Sequence, residues 1–300
     1  MTTVSVAVPR KGRPLEAVLD RMARTTGFEP LADEVISTLR YEKAVAKSDQ
    51  EATGDVYDRL ASYSDLDAPE APEYTLVRDD REGMPRRIVL DSVTVPVTDD
   101  VDVRLVGREE PFRALRKHEV ALGFDSADLV LEEVVQLRDE PLGGLDEVND
   151  RIDPRDTDVR LASGLGDTVW HSLLATREAT ADWDGDLDRA FVADYAGELC
   201  ISPRYERLVE AVLGTDALDG VEFVYPDDGQ TEEAAIADAG VGVYLTVTGS
   251  TARDHGLAVG ERLFPSETVL LENTSERSEE TETVKRALAA EEPETRLAVR

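Results

Sequence analysis

The chain has 300 residues, 41% of them hydrophobic, with 65 acidic against 33 basic side chains and a formal net charge of −32. The apolar content supports a packed core and excludes disorder, while the charge argues against nucleic acid as a partner, because a phosphate backbone would be repelled. Basic residues are mostly arginine and lysine is rare, an acid-coated composition suited to a very salty, halophilic cytoplasm, where at molar salt the Debye length falls to about 3 Å and carboxylate repulsion is screened.

The opening "TVSVAV" alternates and is β-branched, so it predicts a strand. It is too short and too soon interrupted by "PRKGR" for a signal peptide. Leu15, Val18, Leu19 and Met22 then recur at helical spacing up to Gly27. From Tyr41 to about Tyr74 the chain is irregular, with one short helix and a Pro/Ala/Glu linker. "YTLVRDDREGMPRRIVLDSVTVPV" predicts paired strands around "DDREGMP". Residues 41–101 are therefore expected to be an insertion or an embellished sheet edge.

"VDVRLVG" predicts a strand and "REEPFRALRKHEVAL" a helix, with Pro111 tolerated in its first turn. "GFDSADLVLEE" reads as a glycine turn and an acid-rich helix start. Beyond it, "VWHSLLAT", "ELCIS", "VEFVYP" and "VGVYLTV" are strands, and "PRYERLVEAVLG", "GQTEEAAIADAG" and "STARDHGLAV" are helices. "ERLFPSETVLLEN" closes with one more strand, and the charged segment from Thr274 is a solvated terminal helix or tail. Strands alternating with helices predict an α/β fold with mainly parallel sheets, in two lobes. No apolar run has the length of a membrane span. The one cysteine, Cys200, fits a reducing compartment and reads as a buried, inert thiol. No membrane partner and a cytoplasmic location are expected.

Two segments carry the chemistry. Lys11, Gly12 and Arg13 follow the first strand, where ligands of parallel α/β sheets bind; the alternative is a basic surface turn. Thr248, Gly249, Ser250 and Thr251 stand at a strand-to-helix corner, where backbone N–H groups and hydroxyls suit a phosphate. An ordinary Ser/Thr helix cap has the same composition. His118, His171 and His255 share no metal-ligand spacing, so no protein metal site is expected from them. Asp125, Asp128, Glu132 and Glu133 have the composition of a Mg²⁺ site or of a solvated acidic face.

In this order the segments resemble the catalytic core of the ATP phosphoribosyltransferase family of histidine biosynthesis. "VAVPRKGRPLEAVLDRM" is similar to that family's opening strand, Lys-Gly-Arg turn and first helix. Gly123 and Asp128 match the later Gly and final Asp of its R-x-x-D-I-P-x-x-V-x-x-G-x-x-D-L-G-I-T-G-x-D segment. Gly229 and Glu232 match G-x-x-E; Thr248, Gly249 and Thr251 match T-G-x-T; Gly256 and Leu257 match N-G-L; Asn273 matches the closing L-I-x-N. The resemblance spans about two-thirds of the chain and no single motif is decisive.

The resemblance implies two lobes of the periplasmic-binding-protein type around a cleft. Lobe one is residues 1–173, including the 41–101 embellishment, and lobe two is residues 174–260 with the phosphate loop. Residues 261–273 return to lobe one, and residues 274–300 form the acidic terminal helix or tail. The implied reaction is Mg²⁺-dependent transfer of phosphoribosyl from PRPP to N1 of ATP, releasing pyrophosphate. Thr248–Thr251 would hold the 5′-phosphate, Lys11 to Arg13 the pyrophosphate or ATP, and Asp128 and Glu232 would be polar residues of the cleft. A homo-oligomer or a regulatory partner subunit is implied as well.

The sequence departs from the family pattern at Gly240, Tyr244 and Val247, which stand where acids precede the phosphate loop. It departs again at Ala121, Phe124, Asp125 and Ser126. Neutral side chains cannot replace the lost acceptors. These departures describe a divergent paralogue, and the alternative reading is a non-catalytic protein that binds a small anion or nucleotide, or regulates a partner.

Overall fold

The computed structural model describes residues 2–64, 68, 71–78, 86–227 and 229–289. The chain divides into two compact units. The first comprises residues up to Asp125, Asp158–Leu165 and the described chain from Thr268; the second comprises Ser126–Thr157 and Gly166–Glu267. The division thus falls first at Ser126, where the sequence reading placed it after residue 173. Residues 126–157 belong to the second unit because α5 (Ala127–Val134) packs on α7 (Glu206–Leu213) and β11 (Leu257–Ser266) there.

The first unit holds a seven-stranded sheet. Its order is β2 (Glu73–Val77), β3 (Arg87–Pro96), β4 (Val101–Arg108), β1 (Thr2–Pro9), β5 (Leu122–Ser126), β12 (Thr268–Asn273) and β6 (Val159–Gly164). β1 lies parallel to β4 and β5, and its residues Val6, Ala7 and Val8 are fully buried, as expected for a central strand covered on both faces. α1 (Arg13–Thr26) buries Leu15, Val18, Leu19 and Met22, the stripe that the spacing predicts. Each such side chain contributes about 1.5–3 kcal/mol on leaving water. α10 (Glu279–Leu288) adds Val284 and Leu288 to the same core.

The irregular stretch after Tyr41 is more ordered than its composition predicts. α2 runs Glu29–Ala46 and α3 runs Val56–Tyr63. They are joined by a buried pair in which Arg59 donates from Nε to Glu42 Oε1 at 2.7 Å and from Nη2 to Oε2 at 3.1 Å. β2 and β3 pair antiparallel as expected, while the "DDREGMP" turn lies outside the described residues. Gly123, read as a turn, sits inside β5, where a Cβ would meet Leu115 Cδ1 at 2.5 Å. The close-packed α4 (Pro111–Arg116) therefore selects glycine at this strand position.

The second unit has a five-stranded sheet in the order β11, β7 (Val169–Thr176), β10 (Val241–Thr246), β8 (Gly197–Ile201), β9 (Val221–Val224). β8 is parallel to β9 and β10, whereas β7 is antiparallel to β10 and β11. In both units parallel pairing holds in part of the sheet and the other ladders are antiparallel. The chain after α9 (Ser250–Asp254) turns at once into the ten-residue β11 instead of extending the helix, so the segment read as one closing strand supplies two, β11 and β12. α8 (Glu232–Ala239) packs Ala235 and Ile236 against Leu174, Cys200, Ala252 and Leu257.

Candidate functional site

In the second unit, β10 delivers the Thr-Gly-Ser-Thr corner. Its register sets Tyr244 opposite Ser172 and Thr246 opposite Trp170. Thr246 Oγ1 is 2.7 Å from Ser172 Oγ, which ties the strand end to β7. Val247 follows at 75% exposure. Gly249 then takes φ 66° and ψ 16°, the left-handed region that glycine enters without a Cβ penalty, and α9 begins.

Thr248, Gly249, Ser250 and Thr251 line one pocket of about 310 Å³ together with Glu233, Tyr244, Leu245, Thr246, Val247 and Ala252. The corner satisfies part of itself: Thr248 Oγ1 is 3.0 Å from Ser250 Oγ, the Ser250 amide reaches Thr248 Oγ1 at 3.4 Å, and Arg253 Nη2 donates to the Thr248 carbonyl at 3.0 Å. Among the described residues the amides of Gly249, Thr251 and Ala252 donate to no protein acceptor.

Glu232 and Glu233 open α8. Tyr244 faces them: burial first, then the two carboxylates, push its phenol up to about 12, so it stays neutral and can donate. Glu232, expected among the polar residues of a ligand site, stands in the first turn of α8, where its charge helps to raise this phenol.

Lys11, Gly12 and Arg13 lie in the first unit, between the end of β1 and the first turn of α1. Gly12 has φ 85°, and its carbonyl accepts from the Glu16 amide at 3.1 Å to start the helix. Lys11 is half-buried, and among the described residues its ammonium has no hydrogen-bond or ion-pair partner.

Asp128 is corrected by the fold. It is not a residue facing a ligand but a buried acid, 1% exposed, with Oδ2 3.1 Å from His171 Nε2. Burial works to raise this carboxyl, yet hydrogen bonds from His171, Ser126 and Ser266 outweigh it and hold it below the usual carboxylate range. The Tyr205 ring packs edge-on against His171 at 4.9 Å. The neighbouring acids are also committed to the protein: Asp125 accepts the Phe112 amide at 3.0 Å, and Glu132 accepts the Leu208 amide at 2.9 Å at the start of α7. Among the described residues no three His, Cys, Asp or Glu side chains form a group able to hold a metal. These acids therefore do not fit a protein-held Mg²⁺.

Two α/β units that exchange segments of chain, the second with a pocket of about 310 Å³ at a strand ending on a glycine turn, define a two-domain α/β protein. More specifically, the chain belongs to the halobacterial ATP phosphoribosyltransferase family, whose model matches residues 1–299. Among solved structures it is similar to the ATP phosphoribosyl transferase (HisG:HisZ) complex from Thermotoga maritima, with 14% identity, 95% of this chain and 96% of that chain covered, and a TM-score of 0.44. It is also similar to YhfZ from Shigella flexneri, with 10% identity, coverage of 96% and 87%, and a TM-score of 0.45. No curated protein matches it. Among the described residues, no helix is long and apolar enough to cross a membrane.

Proposed function

We propose that the chain binds PRPP and transfers its phosphoribosyl group to N1 of ATP. The observation that carries this reading is the pocket at Thr248–Thr251, with the Gly249, Thr251 and Ala252 amides undirected. These amides suit the 5′-phosphate. Lys11 and Arg13 are assigned the pyrophosphate or the ATP phosphates, a role that their place at the end of β1 supports. In the reaction the bond from C1′ to the pyrophosphate oxygen breaks, the bond from C1′ to N1 of ATP forms, and pyrophosphate leaves with the electron pair. Such a step needs orientation and charge stabilisation more than a side-chain base. Mg²⁺ is assigned to the substrate, carried on the PRPP phosphates, which suits an ion that keeps its waters and favours substrate phosphates.

Incubation with PRPP, ATP and Mg²⁺ in molar KCl tests the proposal. Mass spectrometry is expected to show the phosphoribosyl adduct of ATP together with equimolar pyrophosphate. A second reading, a binding or regulatory paralogue acting alone or with a partner subunit, is favoured by Tyr244 and Val247 at loop positions where the resemblance implies acids. Binding of PRPP without adduct formation would select it.

A further inference from the structure

In the first unit only Arg10, Lys11 and Gly12 join β1 to α1, so the aim of Lys11 depends on what holds its neighbours. On the helix side, the Gly12 carbonyl accepts the Glu16 amide at 3.1 Å. On the strand side the hold is Arg10. The ladder of β3 and β4 ends with Ser92 opposite Val106. Beyond that pair the Leu90 amide of β3 donates to the Arg10 carbonyl, at 3.2 Å. Arg10 Nε donates to the Gly107 carbonyl of β4 at 3.1 Å, and Nη1 lies 3.9 Å from Glu109 Oε1. The side chain passes so close to β4 that a Cβ on Gly107 would stand 2.9 Å from Arg10 Cγ and 2.3 Å from the Leu90 carbonyl oxygen. Gly107 is not among the glycines with positive φ, so this close approach is what selects it.

We infer that Arg10 is a positioning residue for the proposed transfer: it pins the start of the turn to β3 and β4 so that Lys11 meets the pyrophosphate. The inference rests on the proposed PRPP reading and deepens it. The Arg10 guanidinium is engaged by Gly107 and Glu109, so it acts through its neighbour and not on the phosphates. Lysine is no substitute here, because an ammonium keeps the charge but lacks the rigid fork of N–H donors.

Calorimetric titration with pyrophosphate and with ribose 5-phosphate, both in molar KCl with Mg²⁺, separates the outcomes. At that salt a distant charge is screened within about 3 Å, so a loss on Arg10→Lys reads geometry. Arg10→Lys is expected to weaken pyrophosphate by about tenfold and to leave ribose 5-phosphate unchanged. Lys11→Ala should show a similar loss, and the double variant should bind pyrophosphate no more weakly than Lys11→Ala alone, because Arg10 acts through Lys11. Thermal unfolding of each variant shows that it is folded. Wild-type pyrophosphate affinity in Arg10→Lys, equal loss for both ligands, or losses that multiply in the double variant overturn the role of Arg10 and leave the PRPP reading standing. A wild-type protein that binds ribose 5-phosphate but no pyrophosphate overturns Arg10 and the role of its turn together. Binding of neither ligand overturns the PRPP reading as well.

Discussion

His171 Nε2 lies 3.1 Å from Asp128 Oδ2, and both side chains are 2% exposed. The pair joins α5 to β7 inside the second unit, with the Tyr205 ring against the imidazole. A carboxylate this deeply buried stands only because donors surround it. Replacing it with alanine leaves an imidazole nitrogen without its partner, at a cost of about 1–3 kcal/mol for a neutral ring and more for a charged one. Urea unfolding of Asp128→Ala should show that loss against wild type, and an unchanged midpoint would refute the role.

The same pair sets an acid limit. The folded carboxyl is held below its ordinary range, so its contribution is complete above the unfolded value, about pH 4. It disappears as pH falls through the depressed folded value. Asp128→Asn should therefore flatten the acid limb of the stability profile, with the wild-type advantage shrinking below about pH 4. A parallel offset at all pH values would count against the assignment.

The Glu42–Arg59 pair makes a contrasting case. Tyr63 also donates to Glu42 Oε1, at 2.9 Å. Removing only the acid by Glu42→Gln strands a guanidinium that is 9% exposed, and about 3–5 kcal/mol should be lost. The double variant Glu42→Leu with Arg59→Met should recover most of that loss, because two apolar chains need no charge partner. A double variant as unstable as the single one would show that α2 and α3 are joined by packing and not by this pair.

How much of this was legible in sequence depends on how local each signal is. The β-branched run "VGVYLTV" ending in Thr248–Thr251 announces β10 and its turn, because strand, glycine and hydroxyls are neighbours in the chain. The stripe of Leu15, Val18, Leu19 and Met22 is legible for the same reason. Asp128 and His171 are 43 residues apart, and their pairing depends on how α5 packs in the second unit. No spacing rule reaches that distance, so an acid with the appearance of a ligand-facing group proves to be a core residue. Gly123 misleads because a turn and a crowded strand both select glycine, and only the contact with Leu115 tells them apart.

Cys200 supplies an internal probe. It is the one cysteine of the chain and is buried. Burial, and then Glu232, push its thiol up to about 11. At about pH 8 the native protein should resist thiol reagents, since the thiolate is the nucleophile, and labelling should appear only with unfolding. Rapid stoichiometric labelling of the native protein would contradict the packing of β8 against α8.

Gly249 is where stability and the proposed site meet. Its φ of 66° disfavours any residue with a Cβ, and an added Cβ would stand 2.8 Å from Val259 Cγ2 and 3.3 Å from Arg253 Nη1. Gly249→Ala should therefore cost about 1–3 kcal/mol through backbone strain, with a further steric part from Val259. The two parts are separable. Val259→Ala removes the methyl that the new Cβ meets but leaves φ unchanged, so the double variant should recover the steric part alone. Because the residues touch, the pair should be non-additive by about 0.5 kcal/mol or more. PRPP binding should not return with the recovered stability, since the amides around Gly249 still follow the strained turn. Calorimetric titration beside thermal unfolding reads both quantities, and a double variant with wild-type PRPP affinity would break the link between this turn and the phosphate.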